Sequence, residues 1–123
     1  YKTGRWLGFY KNDLEAVIDL KEATEVSSFT MRSLVEKGDW IFGTRGITVS
    51  VSDDNKTFKE VASESYPAMK ETDPNKIYVH NLKFSPVKTR YVKVKALTEH
   101  SIPSWHGGKG NPAFLFVDEL TIE

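Results

Sequence analysis

The sequence predicts an all-β domain, an antiparallel sandwich of short strands, and three observations predict it. Apolar residues recur at every second position through most of the 123-residue chain, the period of a strand with one buried face. Clusters of Gly, Pro, Asn, Asp and Ser break those runs at short intervals. Helical spacing is almost absent. Short, regularly spaced strands without helices pack as two antiparallel layers.

Taken in order, Leu14, Ala16, Ile18 and Leu20 alternate with Glu15 and Asp19. This segment, NDLEAVIDL, also fits a helix capped by Asn12 with Glu15 three residues on. Its neighbours are strands, and it is read as one. Phe29 and Met31 alternate with Thr30 and Arg32, and Ile47, Val49 and Val51 with Thr48 and Ser50. Ile77 and Val79, then Val92, Val94 and Ala96, continue the pattern, and Phe114, Phe116, Leu120 and Ile122 close it. Turns are expected at Lys37-Gly38-Asp39, Asp53-Asp54-Asn55-Lys56, Asp73-Pro74-Asn75 and Ser85-Pro86. VASESYPAMKETDPNK has no period and carries Pro67, so most of it reads as a loop.

Composition narrows the function. Lys+Arg and Asp+Glu are both 17, which argues against a nucleic-acid partner and against a polybasic membrane patch. No apolar run approaches the ~20 residues that span a bilayer. Cysteine is absent, which removes thiol catalysis, thiolate metal sites and disulfides. The chain opens YKTGRW, without an initiator Met or signal peptide, and is expected to be a piece of a longer protein forming one domain over residues 1–123. No nucleophile elbow, phosphate loop or zinc motif is present. His100 and His106 lack zinc spacing, and His80 stands alone in a strand. An enzyme is not expected.

The informative feature is SIPSWHGGKGNPAF, where Trp105 and His106 precede Gly107, Gly108 and Gly110. An indole on a glycine-rich loop is expected to meet a ligand, with the glycines letting the backbone approach. The alternative is that Trp105 folds back on the sandwich.

The order GRW, DLEAVIDL, GITVSVSDDNKTFKEV, TRYVKVKA and a last strand carrying DEL resembles the discoidin, or coagulation factor type C, domain. Its bacterial branch is the family 32 carbohydrate-binding modules. GDWIF with PSWHGGKGNPAFLFVDEL is similar to modules appended to chitobiase-like hexosaminidases of Bacteroides-type bacteria. The resemblance implies an eight-stranded jelly roll, ligand loops at one end and often a structural calcium near the termini. It departs from the family at two turns, where Lys21 and Asn55 stand in place of glycine. The N-terminal Asp-Gly segment that supplies calcium ligands and the factor-type disulfide are both missing.

Sugar recognition needs a flat apolar face against the pyranose and a few fixed polar groups for its hydroxyls. On this reading Trp105 and His106 lead. Trp40 follows, with Asp39 and Lys37 as hydroxyl readers; the alternative is that Trp40 plugs the core. Phe9 and Tyr10 fall in a first loop, GFYKND, which points to the same end, with edge packing as the alternative. Arg45 is a candidate for bidentate contacts, against a solvated surface role. Trp6, Tyr66 and Tyr78 are assigned to packing. The resemblance places a calcium site at Thr3, Asp118 and Glu119, short of the six to eight oxygens the ion prefers.

The function expected is that of a noncatalytic, monomeric module holding a bacterial glycoside hydrolase near its glycan. The sugar would be of the galactose, N-acetylgalactosamine or N-acetylglucosamine type, and the location periplasmic, surface or secreted. The alternative is a structural or interaction domain packed against the catalytic domain without binding free sugar. Phospholipid binding, with GDWIF its thin support, is the third reading.

Overall fold

The computed structural model of the chain describes residues 7–10 and 13–123, with residues 7–10 and Asp118 described by backbone alone. Six antiparallel strands form one curled sheet: β1 (Leu7–Tyr10), β2 (Leu14–Leu34), β3 (Gly46–Ser52), β4 (Lys59–Ser65), β5 (Ile77–Leu97) and β6 (Phe114–Ile122). Their order across the sheet is β1-β6-β2-β5-β3-β4. A single 3-10 turn at Lys37–Asp39 is the only helical element among the described residues.

Two strands are far longer than alternation and turn signals predict. β2 and β5 are each 21 residues, and they pair along their whole length with register shifts between Asp19 and Thr24 and between Val26 and Ser28. Bulges of this kind bend a strand and raise its local twist. On one side of the bend β5 pairs with β3, from Gly46↔Leu97 to Ser52↔Tyr91. On the other side β2 pairs with β6, from Phe29↔Ile122 to Leu34↔Phe116. The bent ribbon therefore belongs to both layers of the sandwich. The Ser85-Pro86 turn signal lies inside β5 at this corner, where a proline breaks few ladder bonds.

The corner is held by charge and by backbone. Arg90 Nε and NH2 donate to the two oxygens of Asp19 at 2.9 and 3.1 Å, and Lys21 N donates to Asp19 Oδ1 at 2.7 Å. The Arg90 guanidinium, with the Lys21 amide, lowers the Asp19 carboxyl to a pKa of about 2. Lys21 sits at φ 76 and Asn55 at φ 60, the left-handed backbone that glycine adopts more readily.

Both layers contribute to one core, including Phe29, Met31, Leu115 and Leu120 from one and Val49, Val92 and Val94 from the other. Alternation gave the strands but not always their phase. In β5 the inward face carries Leu82, whereas Ile77 and Val79 are 39% and 62% exposed. In β6 the buried residues are Leu115, Val117, Leu120 and Ile122, with Phe114 and Phe116 on the other face. The shift between Arg32 and Ser33 in the β2–β6 register reverses the phase near Asp118. VASES belongs to β4 rather than to a loop. It is a margin strand paired, among the described residues, only with β3 and mostly exposed, which explains its weak pattern.

Three loops gather at one end and are stitched by backbone bonds. Val35 N donates to Lys76 O at 2.8 Å, Tyr66 N to Arg45 O at 3.0 Å, Arg45 N to Leu97 O at 2.9 Å and Phe42 N to Phe114 O at 2.9 Å. The segments are residues 35–45, 66–76 and 98–113.

Candidate functional site

The loop of residues 98–113 is compact despite its glycines. Ile102 N donates to Asn111 O at 2.8 Å, Gly110 N to Ile102 O at 2.9 Å, His106 N to Pro103 O at 3.1 Å and Asn111 N to Gly108 O at 3.1 Å. Gly110 alone takes a positive φ, 81°. Rigid loop backbone is what lets an indole there have one defined position.

Phe42, Ile102 and Ala113 form a small second core, and Trp40, Met69 and Trp105 pack on it while remaining partly exposed. Trp105 stacks on Phe42 with ring centroids 6.0 Å apart and planes 24° from parallel. Trp105 thus folds back onto the sandwich and keeps an accessible surface. Trp40 stands at φ 62, a left-handed conformation uncommon for a bulky residue. Its carbonyl accepts from Phe114 N at 2.7 Å and its amide donates to Lys37 O at 3.1 Å, so flanking bonds fix the strained turn.

His106 braces the two loops. Gly108 N donates to its Nδ1 at 2.8 Å, and its Nε2 lies 2.7 Å from Lys37 O. Because Nδ1 accepts, Nε2 carries the proton and donates to the carbonyl. The ring also meets Trp40, Phe42 and Trp105 edge-on at 6.3, 5.5 and 5.8 Å. Both nitrogens are thus engaged inside the protein, so His106 positions the indoles rather than reading hydroxyls.

Lys37 is likewise engaged. Its ammonium donates to the carbonyls of Lys70, Glu71 and Asp73 and lies 5.8 Å from the Trp105 ring centroid. It clamps the 66–76 loop beside Trp105. Asp39, next to Trp40, is exposed. Arg45 is anchored, with 38% of its side chain exposed: its Nε donates to Tyr66 O at 3.0 Å and its NH1 to Glu99 Oε2 at 3.0 Å. Glu99 is 5% exposed, so the pair anchors the root of the 98–113 loop.

Phe9 and Tyr10 lie in β1, not in a loop, paired with Leu115 and Phe114; their side chains, with Thr3 and Trp6, lie outside the described residues. At the same end His100 Nε2 is 2.8 Å from Asp13 Oδ1, which also accepts from Thr98 N at 2.8 Å. Burial works to raise the Asp13 carboxyl, but the bonds from Thr98 and His100 outweigh it and hold it below the usual range.

Of the calcium candidates, only the side chain of Glu119 is described. It pairs with Arg32 at 3.5 Å and accepts from Thr121 Oγ1 at 3.3 Å. Among the described residues no group of three His, Asp or Glu side chains converges to hold a metal.

Sequence reasoning passed over Phe42, Met69 and the role of Gly108. A methyl group at Gly108 would stand 2.8 Å from Trp40 Cε2 and Cζ2. The only sequence signal was the GG pair itself.

The fold is a curled β-sandwich with two partly exposed indoles on interlocked end loops. The chain belongs to the F5/8 type C domain family, whose model matches residues 1–113. No curated protein sequence matches it. Among solved structures it is similar to CpGH89CBM32-5 from Clostridium perfringens, in complex with GalNAc-beta-1,3-galactose. That likeness has TM-score 0.58 and 20% identity over 90% of this chain and 67% of that one. It is also similar to the CBM32 of AlyQ in complex with 4,5-unsaturated mannuronic acid, with TM-score 0.57 and 16% identity over 96% and 76% of the chains. A third is CBM32-1 from a family 31 glycoside hydrolase of Clostridium perfringens, with TM-score 0.55 and 20% identity over 94% and 75%. These likenesses concern the fold.

Proposed function

We propose that the chain is a noncatalytic carbohydrate-binding module whose platform is Trp105 with Trp40, and whose hydroxyl reader is the exposed Asp39 beside Trp40. The observation that carries this is the fixed pair of part-exposed indoles: Trp105 stacked on Phe42 at 24°, and Trp40 held at φ 62. A rigid aromatic surface stacks on a pyranose without an ordering penalty at binding. The sugar complexes of its structural neighbours support the reading.

The finer reading is that the module tethers a bacterial glycoside hydrolase of the hexosaminidase type, outside the cytoplasm, to glycans ending in galactose or an N-acetylhexosamine. One shallow site gives a Kd on the order of millimolar, or about −4 kcal/mol. Tethering then supplies effective concentration. No cofactor is required, and calcium contributes little. Titration with a glycan panel, following the Trp105 and Trp40 indole resonances, tests the reading.

The second reading, a domain that packs against a catalytic neighbour, is favoured by the outward Ile77 and Val79, 39% and 62% exposed. Failure of every glycan, with protection of these residues in a longer chain, would select it.

A further inference from the structure

From His106 to Trp40 runs one unbroken line of contacts. Gly108 N donates to His106 Nδ1 at 2.8 Å. Gly108 is itself buried, so close to the Trp40 indole that a Cβ there would stand 2.8 Å from Cε2 and Cζ2. On the other side of the imidazole, Nε2 meets Lys37 O at 2.7 Å, the carbonyl that also accepts from Trp40 N at 3.1 Å. Trp40 is thus bordered by both partners of His106: Gly108 at its ring and the Lys37 carbonyl at its amide.

This arrangement exists in one protonation state only. Nδ1 accepts from Gly108 while it carries no proton. A second proton makes both ring nitrogens donors and sets Nδ1–H against the Gly108 N–H. The bond from Nε2–H to Lys37 O survives, so the ring stays and the glycine must turn away. A buried amide without an acceptor is costly, which drives that turn. The neighbouring backbone allows it: Gly107 has open space around it, and Gly110 already stands at φ 81°. Gly108 then leaves the face it presents to Trp40.

Histidine is the side chain whose charge ordinarily changes between pH 5 and 8. The charged groups on the elements around this ring are few. The Lys37 ammonium is bound to the carbonyls of Lys70, Glu71 and Asp73, and Lys109, on the same turn as His106, is exposed. Asp39 is exposed, and Glu36 Oε1 accepts from Asn75 Nδ2 at 3.1 Å. Among the described residues the histidine with a carboxylate partner is His100, on Asp13. His106 is instead enclosed by the rings of Trp40, Phe42 and Trp105.

We propose that His106 is a proton-operated latch on the aromatic platform. Neutral, it holds Gly108 against Trp40 and keeps the platform in its binding form; protonated, it releases Gly108 and weakens the ligand. The ligand part of this rests on the carbohydrate-binding reading, and the latch itself does not. By linkage, a ligand that prefers the latched form must release a proton when it binds near the midpoint.

The test first follows the ligand-free chain by NMR from pH 8 to pH 5, reading the rings of His80, His100 and His106 separately. The imidazole nitrogen shifts should show Nδ1 of His106 unprotonated at pH 8. The Gly108 amide and the Trp40 indole should then move with the midpoint of His106. His106→Asn places an oxygen where Nδ1 stood, and that oxygen takes up no proton in this range, so both movements should disappear. Titration with neutral galactose, N-acetylgalactosamine and N-acetylglucosamine glycans at pH 7.5 and 5.5 follows. Wild-type affinity should fall at least about fivefold at the lower pH, and that of His106→Asn should change less than about twofold. If no glycan binds at either pH, the platform reading fails while the ligand-free shifts still decide the latch. A Gly108 amide and Trp40 indole that ignore the His106 midpoint would overturn the proposal, as would the same movements in a folded His106→Asn.

Discussion

Gly108 lies directly against the indole of Trp40: a Cβ at that glycine would meet Trp40 Cε2 and Cζ2 at 2.8 Å. Neither group can give way easily. The Gly108 amide is bonded to His106 Nδ1 at 2.8 Å, and the Trp40 backbone is held at both its amide and its carbonyl. Gly108→Ala should therefore displace the indole, lowering stability by about 1–3 kcal/mol and weakening glycan binding. Gly107→Ala has open space around it and should change neither. Thermal melts with near-ultraviolet circular dichroism of the two variants would check this.

Arg45→Ala should act on stability before binding. Removing the guanidinium leaves the Glu99 carboxylate, 5% exposed, without its cation. Breaking one partner of a buried pair is strongly destabilising; with Arg45 itself 38% exposed, about 1–3 kcal/mol is expected. Arg45→Ala with Glu99→Gln should recover part of it. Chemical denaturation of the single and double variants measures the coupling.

Acidification should destabilise the fold through His80. Burial lowers its folded pKa below the ordinary 6.5, with Glu64 opposing in part. A depressed imidazole means that the unfolded chain takes up its proton first as pH falls. The stabilisation is present above about 6.5 and is lost as pH drops toward the folded value. The melting temperature should fall more steeply between pH 7 and 5 in the wild type than in His80→Phe. Equal slopes would count against a buried neutral histidine.

Calcium should matter little. The one calcium candidate with a described side chain, Glu119, lies 3.5 Å from Arg32, so an ion there must compete with a guanidinium. Excess calcium should leave the melting temperature almost unchanged, as should a chelator. A rise of many degrees that disappears in Glu119→Gln would show a complete site.

The strands were legible in sequence because alternation reports one buried face, as in Ile47, Val49 and Val51. Their length was not. β2 and β5 run through the corner as single ladders with bulges, and a bulge leaves no residue signature when Lys21 takes the left-handed position. Phase failed for the same reason near Asp118, where one register shift turns Phe114 and Phe116 to the other face. In the site, Trp105, His106, Trp40 and Lys37 were legible as a group, since loop aromatics beside glycine and charge stand outside strand patterns. Their division of labour was not. That Lys37 and His106 brace the loops depends on carbonyls of residues 37, 70, 71 and 73, and backbone groups carry no sequence signal.

The most direct test of the central claim is calorimetric and NMR titration of the wild type and Trp105→Ala with galactose, N-acetylgalactosamine and N-acetylglucosamine glycans. The wild type should bind at least one with Kd on the order of millimolar, shifting the Trp105 indole resonance. Trp105→Ala should bind none and, because its stack on Phe42 is lost, melt somewhat lower while remaining folded. Undiminished binding by a folded Trp105→Ala, or no shift of the Trp105 indole when the wild type binds, would contradict the platform assigned here.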